Sequence, residues 1–203
     1  PIAIDIVTSE LTGRESPVSA LKERSIPYYG VKEAVFPFNM FPEVDPLLGP
    51  EMRSTGEVLG LSHFYGEAFM KAQEATQTKL PLSGRVLISV GDKDKEEMLE
   101  VARDLSECGF RILATKGTQK ILTDAGILSE FVYKLGEARP DVNDMIVNGK
   151  VDLVINTPSM GADNVDDSYL RKAAIKKKVP YITTIAAAKA AAEAAAPKAE
   201  TVS

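Results

Sequence analysis

Near the middle of the chain the sequence reads Phe110-Arg111-Ile112-Leu113-Ala114-Thr115-Lys116-Gly117-Thr118. The apolar first half is typical of a buried strand, and a helical pattern follows at residues 119–124. A strand that ends in this way brings hydroxyls, backbone N–H groups and the positive end of a helix dipole together. The stretch therefore predicts a phosphate or carboxylate site at a strand-to-helix turn.

The alternation of strand and helix extends from Gly84 to the end of the chain. Short apolar runs predict strands at residues 86–90, 111–115, 131–134, 151–156 and 180–184. Helical patterns separate them, and the last one, the alanine-rich stretch 186–195, is expected to be a surface helix with a frayed end. This order predicts an α/β fold, a mostly parallel five-stranded sheet with helices on both faces.

Capping residues are predicted at the first two helices of this region. Asp94 with Glu97 three residues later has the pattern of a capping box. Thr118 is placed to cap the helix that follows the second strand. Gly109 and Gly126 mark the ends of these two helices.

Parallel sheets bind ligands at the carboxyl ends of their strands. Caps and turns favour Ser, Thr and Asn, which explains about half of the polar residues there. Lysines are not explained in this way, because a lysine near a helix N-terminus opposes the dipole unless an anion offsets it. The polar residues at the strand ends are Ser89, Lys93, Lys95, Thr115, Lys116, Thr118, Lys134, Asn156, Thr157 and Thr183.

The part of the chain before Gly84 is less regular. Prolines and glycines are dense at residues 27–60, and aromatics alternate with prolines at 36–46, which suits an edge strand followed by a turn-rich loop. A helix is predicted at about 64–75 and a linker at 77–83. An irregular Pro/Gly-rich segment and a helix therefore precede the sheet.

Composition excludes several classes of function. With 44% hydrophobic and 26% charged residues, the chain of 203 residues is typical of a soluble globular protein, and no apolar run is long enough to span a bilayer. The net charge of −5 argues against non-specific binding to nucleic acid. One cysteine, Cys108, and one histidine, His63, do not suffice for a zinc site or a Cys–His couple. We expect a cytoplasmic protein without nucleic-acid or membrane partners.

Several segments resemble one family, the large subunit of carbamoyl phosphate synthase. The most specific is Val44-Asp45-Pro46-Leu47-Leu48-Gly49-Pro50-Glu51-Met52-Arg53-Ser54-Thr55-Gly56-Glu57-Val58, which resembles the end of the second ATP-using half. Residues 31–39 also resemble that half, and residues 114–118, 154–157 and 183–184 resemble the C-terminal allosteric domain, which has a methylglyoxal-synthase-like fold. The resemblance implies a remnant of the ATP-grasp half at 1–60, a connecting helix and linker at 61–83, and the allosteric domain at 84–203.

The resemblance implies a parent enzyme, a glutamine-hydrolysing ligase that uses two ATP to make carbamoyl phosphate for pyrimidine and arginine biosynthesis. Its cofactors are ATP with Mg²⁺ or Mn²⁺ and K⁺, and its partners are the rest of the large subunit and the glutaminase small subunit. We expect the ATP-grasp bodies to precede Pro1. The chain alone is then expected to have no catalytic residue, cofactor or metal ligand.

In bacterial members of the family the allosteric domain binds the effectors UMP and IMP, and ornithine binds between this domain and the synthetase body. The resemblance implies a phosphate site at Lys95, Thr115, Thr118 and Lys134, and a base and ribose site at Ser89, Asn156 and Thr157. It implies an ornithine-like site at Glu33, Tyr181 and Thr183. Lys116 matches no ligand position and is expected to face solvent.

The sequence departs from the family after Asn156 and Thr157. Many bacterial relatives carry Gly-Arg-Arg there, whereas this chain has Pro158-Ser159-Met160-Gly161-Ala162-Asp163. Loss of two arginines predicts weaker nucleotide binding or a different effector. Two alternatives to an effector domain stay open, a free-standing methylglyoxal-synthase-like lyase and a purely structural assembly domain.

Overall fold

The structure is a computed structural model that describes residues 2–20, 25–35, 56–157 and 164–196. The helices are α1 (Ile2–Thr12), α2 (Tyr65–Ala75), α3 (Lys95–Glu107), α4 (Lys116–Asp124), α5 (Val142–Val147), α6 (Asn164–Lys176) and α7 (Ile185–Ala195), with short 3₁₀ turns at Pro17–Ala20 and Asp92–Asp94. The strands are β1 (Tyr29–Val35), β2 (Gly56–Ser62), β3 (Gly84–Ser89), β4 (Phe110–Ala114), β5 (Ser129–Phe131), β6 (Leu153–Asn156) and β7 (Tyr181–Ile182).

A sheet of five parallel strands, in the order β5-β4-β3-β6-β7, forms the centre of the fold. Its central strand is buried on both faces, because helices cover the sheet on each side. Ile88 packs with residues of α3, α4 and α7, whereas Leu87 packs with residues of α5 and α6. The predicted α/β class and the parallel five-stranded sheet are confirmed.

The third strand of this region differs from its predicted position, 131–134. β4 ends at Ala114, the ladder partner of Phe131, so the sheet offers no further strand partner to the residues that follow. The chain turns away after Val132, and Tyr133 instead makes an isolated parallel bridge with Asp141. Lys134 consequently lies in a loop beyond the sheet edge and is exposed.

The helix caps also differ from those predicted. Asp94 is the N-cap of α3 but makes no side-chain capping hydrogen bond, and Thr115 rather than Thr118 is the N-cap of α4. A reciprocal capping box forms instead at α5, where Asp141 accepts from the Asp144 N–H at 2.9 Å and Asp144 accepts from the Asp141 N–H at 3.2 Å.

Substituting Asp141→Ala is expected to destabilise the chain by about 1–2 kcal/mol, because the cap bond is lost at a buried position. Asp141 is only 6% exposed, so water replaces the bond poorly. The measurement is urea unfolding followed by circular dichroism. Asp94→Ala is the control, since that N-cap lacks the bond; equal losses in both variants would contradict the prediction.

The segment before the parallel sheet contains more regular secondary structure than predicted, on both sides of the undescribed residues 36–55. β1 and β2 form a two-stranded antiparallel sheet in which Tyr29 pairs with Ser62, and α2 packs against it. A Cβ on Gly60 of β2 would lie 2.1 Å from the Ala68 carbonyl oxygen of α2. The predicted edge strand and loop at 36–46 lie outside the described residues, and the domain boundaries stay a prediction.

The prediction of a surface position for the alanine-rich helix was wrong. In α7 Ala188, Ala190 and Ala192 are at most 1% exposed, and the helix contacts both α2 and α3. Alanine and glycine permit this close packing, since a Cβ on Gly66 of α2 would lie 2.7 Å from the Ala194 nitrogen. In the described part of the chain no helix is long and apolar enough to cross a membrane.

Candidate functional site

The carboxyl ends of β3 and β6 meet at the switch point of the sheet. The chain leaves β3 toward β4 on one side and leaves β6 toward β7 on the other. Such a reversal opens the crevice in which parallel sheets bind ligands. Ser89 pairs with Asn156 at this point, and the Thr157 N–H donates to the Ser89 carbonyl oxygen at 3.2 Å.

Two threonines from different elements hold the loop that follows β3. The Val90 N–H donates to the Thr118 hydroxyl at 3.4 Å, and the Gly91 N–H donates to the Thr157 hydroxyl at 3.1 Å. A hydroxyl that accepts an N–H keeps its own hydrogen for a second partner. Both threonines are therefore able to donate to an oxygen of a ligand.

Buried polar side chains concentrate at this edge. Thr115, Thr118, Asn156 and Thr157 are each 3% exposed and account for four of the six buried polar residues in the described ranges. The Thr115 hydroxyl donates to the Ser89 hydroxyl at 3.4 Å instead of capping α4. Because buried polar groups cost free energy unless they are paired, such a concentration indicates a site.

Lys95 extends from α3 to the start of α4. Its side chain is 19% exposed, and Nζ lies 3.2 Å from the position that a Cβ on Gly117 would take. Gly117 is the second residue of α4, so the ammonium lies beside the positive end of that helix, which is unfavourable without an anion. The Asp92 carboxylate supplies one, at 2.5 Å.

The charges of both predicted phosphate-binding lysines act on Asp92. Its pKa is lowered from the ordinary value, first by the hydrogen bond from Lys95, then by the charge of Lys95, with a further contribution from the charge of Lys134. Both lysines therefore lie close enough to act on one exposed carboxylate. Lys116, by contrast, is exposed, as its lack of a matching ligand position led us to expect.

Asn156 is engaged by its neighbours. Its amide nitrogen donates to Asp167 Oδ1 and to the Tyr181 hydroxyl oxygen, both at 2.8 Å. Burial raises the pKa of Tyr181 above its ordinary value, and the Arg171 guanidinium lies 5.8 Å from the centre of its ring. Both amide hydrogens are thus used within the chain, and the Asn156 carbonyl oxygen is the group left for a ligand.

The residues predicted for an ornithine-like site lie in two different places. Glu33 is half-buried in β1, where it is hydrogen-bonded to Gln73 of α2, and burial raises its pKa. Tyr181 packs on the α5 and α6 side of the sheet, whereas β1 packs on the opposite side through Val31. Thr183 is exposed just before α7. The ornithine-like site stays a prediction.

A wide groove of about 720 Å³ lies at the opposite, amino edge of the sheet. Its lining includes Pro81, Asn148, Asp152, Lys178 and Pro180. No buried polar cluster converges on it in the described ranges, so we place the candidate site at the carboxyl edge.

Two residues of the site, Asp92 and Asp167, are not singled out by the sequence, which also does not indicate how Gly117 of the strand-to-helix turn is used. Asp92 lies three residues before Lys95 in a 3₁₀ turn, a spacing that favours side-chain contact once the turn is helical. Gly117 leaves the space that Lys95 uses. Asp167 fixes Asn156 from α6, and no local signal in the sequence indicates that contact.

Residues 97–183 match the family described as MGS-like domain. A relative from Methanopyrus kandleri, the "Carbamoyl phosphate synthase large chain, C-terminal section", is 49% identical and the match covers 93% of this chain. The chain corresponds over most of its length to the C-terminal part of carbamoyl phosphate synthase large chains.

Other relatives agree, and all are longer than this chain. The C-terminal section from Aquifex aeolicus is 49% identical over 85% of this chain, and the large chain from Archaeoglobus fulgidus is 46% identical over 93% of it. The chain spans about a third of the length of the two C-terminal sections, 36% and 32%, and 18% of the Archaeoglobus large chain. The departure at residues 158–163 lies outside the described residues.

Proposed function

We propose that this chain is the effector-binding portion of a carbamoyl phosphate synthase large chain, and that it binds a phosphorylated nucleotide such as UMP or IMP at the carboxyl edge of the parallel sheet. The phosphate is held by Lys95, Thr115, Thr118 and Lys134, and the sugar and base lie toward Ser89, Asn156 and Thr157. The observation that carries the proposal is the placement of a mostly buried lysine beside the start of α4.

Charge and hydrogen bonding support a phosphate as the ligand. A phosphate group accepts hydrogen bonds from hydroxyls, ammonium groups and the backbone at a helix N-terminus. Thr118 has a hydroxyl hydrogen to spare, and the ammonium of Lys95 lies at the same helix start. Lys134 adds a second positive charge, which acts on the same carboxylate, Asp92, as Lys95 does.

A continuous path of packed elements supports coupling to the rest of a large chain. Thr184 caps α7 by accepting from the Ala187 N–H at 3.2 Å, directly after the exposed Thr183. α7 packs against α2 at Gly66, and α2 packs against β2 at Gly60. An effector that alters the end of β7 therefore acts on the β1–β2 sheet through two closely packed helices, provided that it binds the two states of the enzyme unequally.

Titration of the chain with UMP and with IMP by calorimetry tests this function. Lys134→Ala is expected to weaken binding about tenfold, because one charge-assisted contact is lost, and to leave the melting temperature unchanged, because Lys134 is exposed. Lys150→Ala, an exposed lysine at the other edge of the sheet, is the control. Absence of heat at millimolar UMP and IMP would refute the function.

The activity and partners of the whole enzyme are part of the proposal. The parent uses ATP with Mg²⁺ or Mn²⁺ and K⁺, works with a glutaminase small subunit, and supplies carbamoyl phosphate to pyrimidine and arginine biosynthesis. The proposed ornithine site lies between this chain and the synthetase body, with contacts from Glu33 of β1 and from Tyr181 and Thr183 at the end of β7. Ornithine activation of the full enzyme, lost in Glu33→Gln, is the corresponding test.

An assembly role is favoured by one separate observation. The β1–β2 sheet and the turn into α2 expose apolar side chains, with Leu59 62% and Phe64 61% exposed, a pattern typical of an interaction surface. Mixing the chain with the remainder of a large chain and measuring oligomer size tests this role. The lyase alternative predicts methylglyoxal from dihydroxyacetone phosphate. The free-standing lyases of this fold use a histidine near the phosphate, whereas the one histidine of this chain, His63, is hydrogen-bonded to the Pro27 carbonyl oxygen beside the β1–β2 sheet, so we expect no product.

A further inference from the structure

Asp92 is in an unusual situation for an exposed carboxylate. Its side chain is 95% exposed, yet it holds the ammonium of Lys95, whose side chain is only 19% exposed. An exposed carboxylate contributes little to stability through its own burial, so the local effect of the pair is to offset the charge of Lys95 beside the start of α4. The lysine it holds is the one that the proposed phosphate site needs most.

The position of this pair places a carboxylate at the phosphate site. Lys95 Nζ lies 3.2 Å from the position of a Cβ on Gly117 at the start of α4. Asp92 Oδ1 lies 2.5 Å from the same nitrogen, so the carboxylate is near that helix start. The charge of Lys134 also acts on Asp92, and the two lysines together hold its pKa below the ordinary value. The Asp92 carboxylate therefore interacts with the same two lysines, Lys95 and Lys134, that would interact with a bound phosphate.

We propose that Asp92 is an internal competitor for the phosphate site: its carboxylate holds Lys95 in the absence of ligand and is displaced when a phosphate group binds. The inference rests on the proposed function. Asp92 carries one negative charge, so a phosphate monoester dianion gains electrostatically by replacing it, whereas a monoanion does not. The competition therefore lowers the affinity for every anion and favours dianionic monoesters over monoanionic diesters.

The test compares Asp92→Asn with Asp94→Asn on the full chain at pH 8, using calorimetry with UMP, inorganic phosphate and dimethyl phosphate. Asp94 is the matched control because it lies in the same turn and makes no side-chain capping bond. Asp92→Asn is expected to bind UMP and phosphate about three- to tenfold more tightly than the unmodified chain. It is also expected to bind dimethyl phosphate measurably, and Asp94→Asn is expected to change each affinity less than twofold.

The outcomes separate the inference from the function on which it rests. Binding by the unmodified chain with equal or weaker binding by Asp92→Asn would overturn the inference alone, because Asp92 would then merely position Lys95. An equal gain in Asp94→Asn would also overturn it, since the gain would reflect net charge. Absence of binding in all variants would overturn both. A second measurement follows the Asp92 carboxyl carbon by NMR at pH 8, where phosphate is a dianion: saturating phosphate is expected to shift its resonance more than that of Asp94, and an unchanged Asp92 resonance would overturn the inference.

Discussion

Gly60→Ala is expected to lower the free energy of unfolding by about 3 kcal/mol, at the upper end of the usual cost of overpacking. The new Cβ would lie 2.1 Å from the Ala68 carbonyl oxygen and 2.6 Å from the Ala72 nitrogen. Both are backbone atoms of a helix, so no side-chain rotation relieves the contact. β2 and α2 must separate, and the packing between them is lost. Thermal unfolding followed by circular dichroism is the measurement.

Gly56→Ala is the control for this prediction. Gly56 is in the same strand, and a Cβ there meets no atom within 4 Å. Its melting temperature is expected to stay close to that of the unmodified chain. If Gly60→Ala and Gly56→Ala had the same melting temperature, the contact between the two-stranded sheet and α2 would be looser than the structure describes.

Lys95→Ala is expected to reduce the affinity for UMP by about 10- to 100-fold, because a charge-assisted hydrogen bond to a buried group contributes about 1.5–3 kcal/mol. The loss should exceed that of Lys134→Ala, since Lys134 is exposed whereas the Lys95 side chain is 19% exposed. Calorimetry with UMP measures the effect.

Lys93→Ala is the control for the second prediction. Lys93 is exposed in the 3₁₀ turn just before Lys95, and its removal takes away the same charge. Its affinity for UMP is expected to change less than threefold. Equal losses in the two variants would mean that the site responds to overall charge, and the assignment of Lys95 to the phosphate would be wrong.

The central strands of the sheet, β3, β4 and β6, were predictable because they are mostly buried. Runs such as residues 86–88 are continuously apolar, and turn signals bound them. The end of the third strand was not predictable from its own residues, because it depends on where β4 stops at Ala114. Helix propensity predicts that the alanine-rich stretch is helical, but it does not indicate whether the helix is buried. Its burial depends on Gly66, more than a hundred residues earlier in the chain.

The site was partly predictable for a similar reason. Thr115 and Thr157 follow strands, and the carboxyl ends of parallel strands share one edge. The pairing of Asp92 with Lys95 depends on the conformation of a turn, and the engagement of Asn156 depends on Asp167 of α6. Such side-chain contacts depend on tertiary packing, and the hydrophobic periodicity of the sequence does not predict them.

The loop at Val90 and Gly91 is held from both sides, by Thr118 of α4 and by Thr157 after β6. Two adjacent peptide groups therefore connect the Thr118 hydroxyl to the Thr157 hydroxyl. We expect a displacement of α4 to reach the end of β6 through these two hydrogen bonds. If the chain binds a nucleotide as proposed, its phosphate and its sugar contact two hydroxyls that one short loop joins, so the two contacts are coupled through the backbone of that loop.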